Sequence, residues 1–161
     1  MTDLYSELLV KKEQTVKDKA IKILMIAGIA LTAVAGLIIP FAWILTLALG
    51  IAAYFILPKL DLEFEYVFVN GELDIDKIMS KAKRKRVKSF DLAKMDIMAP
   101  VNSHRLEYQN HNTKAKTLDF SSGNASHKVF AMFIPDEKEL YKVLIEPDAQ
   151  LIENIQKSCP R

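Results

Sequence analysis

The chain has 161 residues, half of them hydrophobic, and its 22 basic and 20 acidic side chains leave a net charge of only +2. That balance sets up no global field for nucleic acid. A single cysteine excludes an internal disulfide, as expected of a cytoplasmic domain, and five glycines supply no glycine-rich phosphate loop.

The first segment, Thr2–Ala20, has a helical pattern. Leu4, Leu8, Val16 and Ala20 share one face at four-residue steps, interrupted by Lys12. Residues 1–21 are therefore expected to form an N-terminal cytoplasmic helical segment. From Ile23 to Pro58 the chain then carries no charge for 36 residues, bounded by Lys22 and Lys59. A span needs about 20 apolar residues. As one helix the run would be ~54 Å long and would need a tilt of about 55°, beyond the usual limit of about 40°. Pro40, near the midpoint, lacks an N–H and biases Ile39 away from helical geometry. The run thus reads as a transmembrane helical hairpin over 22–58, with helices at 22–38 and 41–57; a shallow re-entrant hairpin is the rival. Trp43 near the turn suits an interface.

Each helix carries a ridge of small residues: Gly28, Thr32 and Gly36 in the first, Ala42, Thr46 and Gly50 in the second. Such ridges allow close helix packing in lipid, within the hairpin or in a homo-oligomer. Neither helix contains an ionisable residue, which argues against transport by this chain alone. Lysines precede the first helix and follow the second, and the turn is uncharged. By the positive-inside rule this predicts a multi-pass protein of the cell membrane with both termini cytoplasmic.

After Pro58 the period changes to two. Leu60, Leu62, Phe64, Tyr66 and Phe68 alternate with Asp61, Glu63, Glu65, Val67 and Val69, a half-buried strand with a solvated acidic face. Asn70-Gly71 is a hairpin turn signal, and a return strand runs to about Met79. Further strands are expected at 87–90, 95–99, 116–120, 128–134 and 139–145. Pro147 opens a C-terminal amphipathic helix with Leu151, Ile152 and Ile155 on one face. Residues 59–161 thus read as one mostly-β (α+β) cytoplasmic domain of six or seven antiparallel strands capped by a C-terminal helix.

This order resembles a pleckstrin-homology-like (PH-like) antiparallel barrel. The stretches FVNGELDIDKI (Phe68 to Ile78), FDLAKMDIMAP (from Phe90) and EPDAQLIENIQKSCPR (Glu146 to Arg161) are similar to an uncharacterised bacterial membrane-protein family with a two-helix hairpin and such a domain. The resemblance implies a fold and a membrane location, not an activity. Asn70-Gly71 carries no basic residues, so inositide binding by the first hairpin loop is not implied.

Lys81, Lys83, Arg84, Lys85, Arg86 and Lys88 place six cations in eight residues. A strand that leaves the membrane near residue 60 climbs about 33 Å over ten residues, and its partner brings the chain back. The basic run therefore returns to the bilayer surface, where it can meet anionic lipid headgroups. Its plainer role is a solvated hairpin connection. No aromatic interleaving supports nucleic acid. No catalytic residue, metal ligand or cofactor is nominated: His104, His111 and His127 lack metal spacing, and Ser121-Ser122-Gly123 lacks the G-x-S-x-G pattern. The expected function is non-enzymatic: scaffolding, or lipid or protein binding at the inner membrane surface. The alternative is an accessory subunit of a transporter or channel complex acting through its hairpin.

Overall fold

The computed structural model describes residues 4–111, 114–136 and 139–159. Strand β1 (Tyr5–Lys11) is followed by helices α1 (Val16–Gly36) and α2 (Ala42–Leu60), then by strands β2 (Leu62–Val69), β3 (Glu72–Met79) and β4 (Lys83–Asp91). After a 3-10 turn come β5 (Ile97–Pro100), a second 3-10 turn (His104–Leu106), the one-turn helix α3 (Glu107–Asn110), β6 (Lys116–Asp119), β7 (Phe130–Asp136), β8 (Glu139–Ile145) and helix α4 (Ala149–Ser158).

The strands form two separate four-stranded sheets, β1-β2-β3-β4 and β5-β7-β8-β6, rather than a closed barrel. A 3-10 turn at Leu92–Lys94 divides them, capped by Asp91, whose side chain accepts from the Ala93 N–H at 3.0 Å. The first sheet is antiparallel throughout; in the second, β6 runs parallel to β8. The core lies between the sheets and under α4. Phe64, Tyr66, Phe68, Leu73, Ile75 and Phe90 come from the first sheet, Met132, Ile134, Val143 and Ile145 from the second, and Leu151 and Ile155 from α4. Asp148 caps α4 by accepting from the Leu151 N–H at 2.7 Å. Asn70 and Gly71 both adopt positive φ in the first hairpin turn, the geometry that makes this pair favourable there.

The expected N-terminal helix is instead a strand. β1 pairs with β2 over seven residues, from Tyr5 opposite Val69 to Lys11 opposite Glu63. Leu4 and Leu8 satisfy a four-residue step, but they also satisfy a two-residue step with Ser6 and Val10. The alternating set wins because it meets an open sheet edge, where Ser6 and Val10 become buried. The domain is therefore discontinuous. It is built from the residues before α1 together with those after α2, and the hairpin is an insertion between two paired strands.

α1 and α2 are both long and apolar enough to cross a membrane. At 1.5 Å per residue they are about 31 and 28 Å long, and α1 begins about two turns earlier than the apolar run. Of the small-residue ridges, Gly36 packs under Trp43, where a Cβ would lie 2.9 Å from the indole nitrogen. A Cβ on Gly28 would make ordinary contact with Leu49, whereas Gly50 faces open space. Thr32 donates to the Gly28 carbonyl at 3.0 Å and Thr46 to that of Ala42 at 3.1 Å, so both hydroxyls are satisfied within their own helices.

Candidate functional site: the basic rim beside the hairpin

The chain leaves the domain through Lys12 and returns through Asp61. The Lys12 N–H donates to the Leu62 carbonyl at 2.9 Å, and the Glu13 N–H donates to that of Ser122 at 2.8 Å. The β3–β4 turn sits at the same end, with the Ser80 N–H donating to the Asp61 carbonyl at 2.9 Å. Lys83 Nζ lies 5.5 Å from the centre of the Tyr54 ring on α2. One rim of the domain is thus fastened to the base of the hairpin. Ser80 and Lys81 adopt φ of 49° and 55°, a left-handed geometry that costs non-glycine residues about 1–2 kcal/mol each. The strained turn holds Lys81 at the tip of this rim.

The basic run is not a connection; from Lys83 on it is strand β4, and strand alternation divides it. Arg84 and Arg86 lie on the outer face of the sheet. Arg84 pairs with Asp76 at 2.7 Å and with Glu65, while Arg86 pairs with Asp74 at 2.8 Å and with Asp76 at 3.2 Å. A register shift between Ile75 and Asp76 leaves Val87 unpaired and turns Lys88 to the other face. There it binds Asp136 at 2.7 Å and lies 3.7 Å from the centre of the Tyr141 ring. Lys81, Lys83 and Lys85 make no ion pair among the described residues. The six cations therefore do not form one surface, and three of them are held by the domain itself.

The face expected to be solvated and acidic is also different. Glu63, Glu65 and Asp76 are 6%, 7% and 4% exposed. Burial pushes the Asp76 carboxyl up, but hydrogen bonds from Arg84 and Arg86 outweigh it and hold Asp76 below its ordinary value. Burial pushes Glu65 up, against the pull of Arg84, and the adjoining Glu7 carboxyl adds to the rise. Glu7 is held down by the Tyr5 hydroxyl, which donates to it at 2.5 Å, and by Glu65.

A second cluster lies on the α1 side of the rim. Glu146, with a side chain only 8% exposed, accepts from the Ser122 N–H at 2.9 Å and from its hydroxyl at 2.7 Å. His127 Nδ1 lies 3.0 Å from the other Glu146 oxygen and 3.3 Å from Ser122 Oγ. A serine–histidine relay needs one ring nitrogen for the hydroxyl and the other for the carboxylate. Here one nitrogen faces both, and the hydroxyl bonds the carboxylate directly, so the group ties the 121–127 loop to β8. Sequence reasoning missed Glu146, which no local motif connects to Ser122. Of the other histidines, His104 pairs with Glu107 at 2.7 Å and His111 follows α3. Among the described residues no group of His, Cys, Asp and Glu could hold a metal ion.

Lys11, Lys12, Lys19 and Lys22 line a cleft of about 700 Å³ between this loop and the start of α1, with His127 on its wall. The rim as a whole can hold anions at the level where the apolar helices begin.

Residues 2–161 match the family model of a bacterial PH-like domain (DUF6106). No curated protein and no solved structure matches the chain.

Proposed function

Taking as premise that the chain belongs to the bacterial PH-like domain family DUF6106, we propose that it is a non-enzymatic membrane-anchored platform. Its hairpin crosses the cell membrane twice and displays the PH-like domain at the cytoplasmic surface, where the domain binds lipid or protein. The observation that carries this reading is the pairing of β1 with β2 across the hairpin. Two strands of one sheet occupy one compartment, so the chain enters and leaves the bilayer on the same side. Lysines at the start of α1 and Lys59 at the end of α2 support a cytoplasmic assignment for that side. Lys81, Lys83 and Lys85, on the rim beside α2, support contact with an anionic surface.

Hydrogen exchange on the full chain in lipid nanodiscs tests this. Residues 80–85 are expected to exchange more slowly in discs containing phosphatidylglycerol than in discs of phosphatidylcholine alone. K81Q/K83Q/K85Q should abolish the difference. Equal exchange in both lipids, or a protein removed from membranes by alkaline carbonate, would contradict the reading.

A further inference from the structure

We propose that the cleft between the first turns of α1 and the 121–127 loop is a binding site for the phosphate headgroup of an anionic phospholipid, with Lys12, Lys19 and Lys22 as its ligands. This rests on the reading that α1 and α2 lie in the bilayer, and it concerns residues other than the β3–β4 turn.

Charge pairing within the cleft carries the argument. Of its two carboxylates, Asp61 lies 3.8 Å from Lys11, and Glu13 accepts from Asn124 Nδ2 at 2.7 Å. Lys12, Lys19 and Lys22 make no ion pair among the described residues, although all three line one cavity. Lys11, Lys12, Lys19 and Lys22 against Asp61 and Glu13 leave the cleft a net charge of +2, and an anion placed there is attracted by that excess. The backbone carrying them is already held. Lys12 and Glu13 are fastened to Leu62 and Ser122, and the Thr15 N–H donates to Asp18 at 2.9 Å as α1 begins. Lys19 and Lys22, three residues apart, share one helix face. A ligand therefore meets a pre-organised backbone, and binding orders the lysine side chains alone. His127, anchored by Glu146 through Nδ1, leaves its second ring nitrogen without a partner among the described residues, as a further polar group on the wall.

Position favours a lipid over a free ion. Directly after Lys22, Ile23 and Leu24 are 69% and 74% exposed, and the apolar surface of α1 continues from there. A phosphate among the lysines would sit at the headgroup level, with acyl chains alongside that surface.

The test uses the full chain, delipidated in a non-ionic detergent, with short-chain phosphatidylglycerol, short-chain phosphatidylcholine and inorganic phosphate as probes. The wild type is expected to bind phosphatidylglycerol at least about tenfold more tightly than phosphatidylcholine. K12Q/K19Q/K22Q should lose about tenfold or more of that affinity, and K12R/K19R/K22R should keep it. Equal affinity for the two lipids, wild-type affinity in the glutamine variant, or loss in the arginine variant with an unchanged circular dichroism spectrum would overturn the site. Full displacement of the lipid by inorganic phosphate would assign the cleft to a free anion instead. Carbonate washing of native membranes separates the two readings. If the wild type stays in the membrane but lacks lipid selectivity, only the site fails; if it washes out, the hairpin reading fails.

Discussion

A polypeptide beginning at Lys59 is expected not to fold, although it contains seven of the eight described strands. β1 supplies the edge of the first sheet, and its inward side chains Leu8 and Val10, with Leu4 just before it, pack on the core. Burying such side chains contributes about 1.5–3 kcal/mol each when complete. Their joint loss approaches the ~5–15 kcal/mol that holds a domain together. β1 is also tied at both ends: Leu4 and Asn70 exchange two hydrogen bonds, at 3.0 and 3.1 Å, and Lys12 bonds Leu62. α4 reaches across to it, with Asn154 Nδ2 donating to the Tyr5 carbonyl at 3.3 Å. Because Lys12 and Leu62 are hydrogen-bonded neighbours, residues 1–12 joined to residues 61–161 by a short Gly/Ser linker should restore the domain without the hairpin. Thermal unfolding followed by circular dichroism checks both: the joined protein melts cooperatively, and residues 59–161 alone do not. Equal melting of the two would show that β1 is dispensable.

Asp76→Asn is expected to destabilise the domain by about 1–3 kcal/mol at pH 7. Asp76 is nearly buried and receives Arg84 and Arg86 together, but both arginines are more than half exposed, which keeps the figure below that of a fully buried pair. The pH dependence follows from the sign of the shift. Folding lowers the Asp76 pKa, so its contribution is present above the unfolded value of about 3.9. It is lost as pH falls through the lower folded value. Glu65 has the opposite sign: folding raises its pKa, so it favours the fold at low pH and opposes it as pH rises. The stability gap between wild type and D76N should therefore shrink as pH falls below about 4. Urea unfolding at pH 7 and at pH 3 measures it, and a gap that does not change with pH would contradict the assignment.

Much of the architecture is legible in single residues. The uncharged run, Pro40, the alternation from Leu60 to Phe68 and the Asn70-Gly71 turn each have one reading that physics strongly prefers. Strand length alone brings the basic run back to the base of the hairpin, where Ser80 meets Asp61. What escapes is what two distant segments decide together. Leu4 and Leu8 fit either period, and only the open edge of β2 makes them a strand. Glu65 looks solvated until Arg84 closes over it from β4. Glu146 joins Ser122 and His127 only because β8 passes their loop. The lysine cleft needs the Glu13–Ser122 contact, which no local pattern announces.

Labelling of single cysteines with a membrane-impermeant maleimide, in a Cys159→Ser background, tests the central claim most directly. Glu7→Cys on β1, Lys157→Cys on α4 and Ile39→Cys in the helix turn are compared in intact cells and in inverted membrane vesicles. Positions 7 and 157 should react only in inverted vesicles, and position 39 only in intact cells. Reaction of 7 and 157 from opposite sides, or of 39 from the same side as both, would contradict an inserted hairpin that crosses the bilayer and returns to one sheet.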